Sequence, residues 1–187
     1  MKANKWTKEI WTIPNLLSLF RLLLIPVYVY IYLNAGDNVV NYYIAAAILA
    51  VSCLTDMIDG QIARRFHMIT NLGKILDPLA DKVLVLAAMC FFVENGQMPG
   101  WVVAIVLFRE FAVSGLRLIA VEQSRVIAAA WSGKIKTAST MVGLCAMMLF
   151  SGNSLVNLIC TVVILLTTVY SGVEYFWVNR DVFKDVN

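Results

Sequence analysis

Along this chain, runs of apolar residues alternate with short polar connections, and each run is close to the roughly 20 residues that cross the hydrocarbon of a bilayer as a helix. Six such runs can be drawn, at Ile13 to Leu33, Tyr42 to Ala63, Ile75 to Val93, Trp101 to Ala120, Thr137 to Phe150 and Leu155 to Trp177. The fifth is short and needs residues from Ala128 onward to reach full length. The pattern predicts an all-α, polytopic membrane protein with six transmembrane helices. No soluble domain, low-complexity linker or internal repeat interrupts it.

Ahead of the first run, Trp6, Ile10 and Trp11 alternate with Lys2, Lys5 and Lys8, which predicts a short amphipathic helix lying on the membrane surface. A frayed terminus is the plainer alternative. No small-residue cleavage site follows the first run, so the start does not read as a removable signal. The expected division is therefore an interfacial segment at 1–12, a six-helix membrane domain at 13–178 and a cytoplasmic tail at 179–187.

The placement of positive charge sets the expected orientation. Lys2, Lys5 and Lys8 precede the first run, Arg64, Arg65 and Lys74 lie between the second and third, Arg125, Lys134 and Lys136 between the fourth and fifth, and Arg180 and Lys184 after the sixth. The connections around Asn34 to Val40, Glu94 to Gly100 and Ser151 to Ser154 carry no lysine or arginine. Under the positive-inside rule both termini and the 64–74 connection are cytoplasmic, and dropping any one span would move basic connections outside. Composition agrees: 60% of the 187 residues are hydrophobic and 14% charged, with a mean hydropathy of +0.77, unusual for a soluble domain of this size. The location implied is the cytoplasmic membrane, multi-pass, with membrane lipids as neighbours and no nucleic-acid partner. Cys53, Cys90, Cys145 and Cys160 all fall in apolar runs without metal-ligand spacing and read as small core residues.

Against this background four acids stand out. Asp56 and Asp59 lie three apart near the end of the second run, and Asp77 and Asp81 four apart at the start of the third. Each pair projects from about one helical turn. A carboxylate at membrane depth costs roughly 2.5–3.5 kcal/mol even on the gentlest insertion scale, so four of them need bound cations or a wet cavity. Two such turns facing each other make a cage of oxygen donors for hard divalent ions, Mg²⁺ or Mn²⁺; the absence of clustered His or Cys argues against zinc. On the same helical stripe as Asp56 and Asp59 come Gly60 and Ala63, small enough to leave room for a bulky ligand. Each residue also has a plainer explanation: Asp77 before Pro78 as a helix cap, Pro78 as a first-turn residue, Gly60 and Gly73 as sites of close helix packing.

A second group is cationic. Arg109, Glu110 and Arg117 fall in the fourth run, and Lys134 and Lys136 where the fifth begins. Arginine forks and lysine point charges suit a phosphate group, so Arg109, Arg117, Lys134 and Lys136 are candidate ligands for a phosphorylated substrate. The competing reading pairs Arg109 with Glu110 or the aspartates and makes the lysines snorkelling residues. His67 reads as a loop residue.

Asp56, Asp59, Gly60, Ala63, Arg64, Gly73, Asp77 and Asp81 together match without departure the pattern D-x2-D-G-x2-A-R-x8-G-x3-D-x3-D, and in this the chain resembles the CDP-alcohol phosphotransferases. The resemblance implies an enzyme that moves a phosphatidyl or similar group from a CDP-activated donor to an alcohol, releasing CMP. It implies Asp56, Asp59 and Asp77 as core metal ligands, Asp81 as the general base that also touches metal, and Gly60, Ala63, Arg64 and Gly73 as the donor-binding set. The four carboxylates and the diphosphate of such a donor would leave a large negative excess with one divalent ion, whereas two, with Arg64, nearly balance it. Two metal ions are therefore expected. The blocks IPNLLSLFRLLLIPV, LGKILDPLADKVLV, RE-x4-GLR, GKIKT and SGVEYFWVNRDVFK resemble the bacterial branch of the family that joins CDP-diacylglycerol to glycerol 3-phosphate. In the opening block Asn15, Ser18 and Arg21 would line the cytidine or phosphate region, although Asn15 also reads as a helix cap and Arg21 as a snorkelling residue. A homodimer is implied by the resemblance alone. Other acceptors, giving phosphatidylserine, inositol phospholipids or cardiolipin, remain open within the family; outside it, an ion-coupled transporter is the competing class.

Overall fold

The computed structural model describes residues 13–34, 36, 38–65, 73–123, 125, 127 and 130–183; of residues 13, 14, 53, 56–65, 73–79, 81 and 183 the backbone alone is described. The interfacial segment expected at 1–12, His67 and Lys184 lie outside the described residues. Within them the structure is all-helical, with no strand: α1 Ile13–Leu33, α2 Val39–Arg65, α3 Gly73–Glu94, α4 Gly100–Glu122, α5 Trp131–Leu149 and α6 Ser154–Val178, then a 3₁₀ turn at Arg180–Phe183. These occupy the six predicted runs. Among the described residues two helices, α1 and α6, hold a stretch long and apolar enough to cross a membrane, with a single charge in each, Arg21 and Glu174. In the other four, charged residues fall inside the helix: Asp56 and Asp59 in α2, Asp77 and Asp81 in α3, Arg109, Glu110 and Arg117 in α4, Lys134 and Lys136 in α5.

The chain divides into two compact units, 1–91 and 92–187. In the first, α1 packs on α2. The turn between them is built locally: Asn38 Oδ1 accepts from the Val40 backbone N–H at 3.0 Å, Asn41 Nδ2 donates to the Asn34 carbonyl at 3.0 Å, and Gly36 takes a left-handed φ of 48°. Aromatic rings from three helices meet near this turn. Tyr32 of α1 stacks on Phe91 of α3 with centroids 4.5 Å apart and meets Tyr42 of α2 edge-on at 5.6 Å, while Tyr28 lies 6.1 Å from Phe91. The cluster joins the end of α1, the start of α2 and the end of α3, so the three helices run alternately along the unit. Consequently the end of α2 and the start of α3 lie at the opposite end, where α1 begins.

In the second unit α6 packs on α5 and on α4. Close approach of α5 and α6 depends on Gly143, where a Cβ would stand 3.1 Å from the Ile164 side chain. Ser139 and Thr167 hydroxyls share a hydrogen bond of 2.9 Å across the same pair. Asn153 caps α6, its side chain accepting from the Leu155 and Val156 backbone N–H groups. Val113, Leu116 and Ala120 of α4 pack with Tyr175 and Val182. The Gln123 amide, donating to the Val182 carbonyl at 3.1 Å, fixes the terminal turn against the end of α4.

The distribution of polarity is inverted relative to a water-soluble protein. On α6 the buried positions include Asn157, Thr161, Thr168 and Ser171, whereas Leu158, Val162, Leu166, Val169 and Val173 face outward. Exposed large apolar side chains occur on every helix, such as Leu23 and Tyr30 on α1, Leu54 on α2, Val83 on α3, Phe108 on α4 and Trp131 on α5. Such a surface is unstable in water and stable in hydrocarbon, which identifies a membrane protein. The expectation that the cysteines are core residues is corrected for three of them, Cys90 being exposed and Cys145 and Cys160 half-buried, while the Cys53 side chain lies outside those described. A thiol on an outward face costs nothing in lipid, so the periodicity of an apolar run does not reveal which side it takes.

Candidate active site

In the first unit the aspartates fall on the two helix ends that flank the 66–72 connection. Counted from the aromatic cluster, Ser18 lies fourteen residues from Tyr32, Asp56 fourteen from Tyr42 and Asp77 fourteen from Phe91. At 1.5 Å per residue all three sit about 21 Å from the cluster, at one level of the unit. Gly60, Ala63 and Arg64 continue α2 beyond Asp56 and Asp59, and Gly73 opens α3. Because α3 starts at Gly73, Asp77 is its fifth residue and Pro78 its sixth. The helix-cap reading of Asp77 and the first-turn reading of Pro78 are both corrected. Pro78 instead stands inside the helix, where its ring offers no N–H to the Lys74 carbonyl, a tolerated interruption where other groups meet the freed carbonyl.

At the same end α1 buries three polar side chains on one stripe, Asn15, Ser18 and Arg21, each at most 1% exposed. Burial of Arg21 corrects the snorkelling reading, since a snorkelling guanidinium reaches water. A buried arginine is costly unless anionic groups compensate it. Asn15 is already the third residue of α1, which removes it from the cap position.

In the second unit the candidate cations separate into two kinds. Glu110 Oε1 accepts from Arg109 Nη1 at 3.1 Å and from Lys136 Nζ at 2.7 Å, so one carboxylate of α4 holds a cation of its own helix and one of α5. Lys136 is 5% exposed. Room for Arg109 comes from two glycines: a Cβ on Gly172 would lie 3.2 Å from Arg109 Cγ, and one on Gly133 3.7 Å from its guanidinium. Arg117 and Lys134 are exposed. Arg117 Nε donates to the buried Tyr175 hydroxyl at 2.9 Å, which leaves the far end of the guanidinium presented outward. Lys134 Nζ stands 4.6 Å over the Trp131 ring. The competing reading that paired Arg109 with Glu110 is found in the structure, but the sharing of Glu110 with Lys136 of another helix was not legible from sequence. Two further residues with a part in this arrangement, Tyr175 and Gly172, carried no assigned role from sequence, since each acts through α4.

Comparison with known proteins agrees with the motif. A family model described as CDP-alcohol phosphatidyltransferase matches residues 11–173. The chain is similar to the CDP-diacylglycerol–glycerol-3-phosphate 3-phosphatidyltransferase of Bacillus subtilis, 38% identical over 192 residues that cover 95% of this chain and all of the relative. It is similar also to a probable phosphatidylglycerophosphate synthase of Mycobacterium tuberculosis, 34% identical over 89% of this chain and 81% of the relative. A third relative, the CDP-diacylglycerol–glycerol-3-phosphate 3-phosphatidyltransferase of Escherichia coli K12, is 39% identical over 72% of this chain and 75% of its own length. With nearly the whole chain matched, and with the aspartates grouped on the two helix ends where the motif requires them, this chain belongs to the CDP-alcohol phosphatidyltransferase family and is an enzyme of phosphatidyl transfer.

Proposed function

We propose that this enzyme transfers the phosphatidyl group of CDP-diacylglycerol to glycerol 3-phosphate, giving phosphatidylglycerophosphate and CMP at the cytoplasmic face of the membrane. The observation that carries the reading is the common level of Asp56, Asp77 and the buried Ser18 in one unit, with the buried Arg21 about one helical turn nearer the aromatic cluster. Relatives named for this reaction support the choice of substrates.

In this reading Asp56, Asp59, Asp77 and Asp81 hold two divalent ions, and the donor set is of the right kind, four hard carboxylate oxygens without nitrogen or sulfur. Mg²⁺ or Mn²⁺ bound there would neutralise the diphosphate of the donor and make its phosphorus more electrophilic. Gly60, Ala63 and Gly73 admit the cytidine and diphosphate, and Arg64 with Arg21 offsets their negative charge. Asp81 takes the proton of the acceptor hydroxyl. The acceptor oxygen then forms its bond to the phosphatidyl phosphorus while the bond to the CMP oxygen breaks, and CMP leaves with the diphosphate's second phosphate. Arg117 and Lys134 bind the phosphate of glycerol 3-phosphate, while Glu110 with Arg109 and Lys136 joins α4 to α5. All six helices span the bilayer, α2 to α5 despite several charges each, because those charges are paired inside the protein or serve the site. Homodimerisation is carried over from the family.

The test is incubation of purified protein with CDP-diacylglycerol, Mg²⁺ and a panel of acceptors, followed by CMP release and identification of the lipid. Glycerol 3-phosphate alone should support turnover. CMP release with serine or free inositol instead would refute the acceptor assignment, and cation flux into proteoliposomes without lipid product would refute the enzyme.

A further inference from the structure

Between α4 and α6 the second unit carries a groove of about 710 Å³ lined by Ile105, Phe108 and Ala112 on one side and by Val169, Val173 and Phe176 on the other. Its floor lies at Gly172, where the missing side chain exposes the stem of Arg109. The guanidinium of Arg109 is turned away, toward Glu110. At the C-terminal end of α6 the groove closes on Trp177 and Arg180, with the Arg180 guanidinium 5.4 Å over the Trp177 ring. Arg180 is exposed and belongs to the turn just past the sixth span. Among the described residues that line the groove there is no acid.

We propose that this groove is a binding site for an anionic phospholipid of the bilayer, one acyl chain lying over Gly172 and the headgroup phosphate on Arg180. The shape fits: from Thr168 to Arg180 the groove follows about 18 Å of helix, the reach of an extended acyl chain. Charge selects the headgroup. The charged residue that lines the membrane-surface end of the groove is a cation already braced by an aromatic face, which suits a phosphodiester and gains nothing from a zwitterion whose choline offsets the phosphate. A second copy of the chain is the poorer occupant, because a twofold contact across this groove would bring both copies' Arg180 cations onto one apolar surface.

Trp177 reports occupancy directly. In a variant with Trp6, Trp11, Trp101 and Trp131 replaced by Phe, reconstituted in phosphatidylcholine vesicles, brominated-chain phosphatidylglycerol should quench Trp177 at about fivefold lower mole fraction than brominated phosphatidylcholine. Arg180→Gln should abolish that difference. A variant keeping only Trp101, at the other end of α4, should show none. Should the four-Trp replacement fail to fold, lipid retained by otherwise unchanged protein through detergent exchange, measured by native mass spectrometry with and without Arg180→Gln, gives the same comparison. Equal quenching by both lipids, a preference that survives Arg180→Gln, or no quenching at all, as when a second copy covers the groove, would overturn the proposal. Relief of quenching by stoichiometric CDP-diacylglycerol would also overturn it, assigning the groove to the donor.

Discussion

Replacing Tyr175 by Phe deletes a single hydroxyl, which accepts from Arg117 Nε at 2.9 Å. The ring stays, so its packing with Val113, Leu116 and Ala120 is kept and the fold should be undisturbed. A hydrogen bond to a charged group contributes about 1.5–3 kcal/mol, but Arg117 is exposed and solvent screening lowers this to about 1 kcal/mol, or about fivefold in the population of correctly oriented guanidinium. If Arg117 binds the acceptor phosphate, Tyr175→Phe should raise the KM for glycerol 3-phosphate about fivefold with kcat nearly unchanged, while Arg117→Ala should raise it roughly ten- to a hundredfold. The double variant should be no worse than Arg117→Ala alone, since the tyrosine acts only through the arginine. Initial rates of CMP release against acceptor concentration measure all three. Strict additivity, or a fall in kcat at constant KM, would refute the positioning argument; an unchanged KM in Arg117→Ala would remove the arginine from the pocket altogether.

Asp56→Asn, Asp59→Asn and Asp77→Asn should each abolish turnover while the protein remains inserted, with melting temperature held or raised, because an amide removes metal affinity together with the cost of intramembrane charge; near-normal activity in any one at ordinary metal concentration would break the cage. Asp81→Asn should still bind the CDP donor yet lose transfer, and loss of donor binding as complete as in Asp56→Asn would make it mainly a ligand. Glu110→Gln should destabilise by about 3 kcal/mol in detergent denaturation, because two cations lose their shared carboxylate, and Lys136→Met in the same chain should recover part of this. Cysteine labelling should place Arg65 and Arg125 on the cytoplasmic face and Gly36 and Gly96 outside; Arg65 and Gly96 reacting from the same side would overturn the six-span topology.

The helices were legible because each is bounded by polar turns that an apolar run cannot absorb. Where the bounds moved, the cause was non-local. α5 begins at Trp131, not Thr137, since Lys136 is neutralised by Glu110 from a different helix and can be buried. α3 begins at Gly73, which turned Asp77 from a cap into an interior residue. The aspartate motif could be read from spacing alone because its residues lie on two consecutive helix ends. The cationic group could not be sorted that way, as the difference between Lys136 and Lys134 depends on what α4 places beside each. Tyr175 was silent for the same reason.

The inverted polarity of α6 fixes how this protein can drift in sequence. Outward positions such as Leu158, Val162 and Val169 ask only for a greasy side chain, and Leu, Ile, Val and Phe are there near-synonyms. Inward, a methyl group at Gly143 would force the Ile164 side chain to shift, and Thr168 and Ser171 are fully buried, so a change there exchanges a hydroxyl for volume inside the protein. A soluble enzyme accumulates neutral changes among its surface polar residues. Here the freely varying alphabet is the apolar one, and the restricted letters are small and polar.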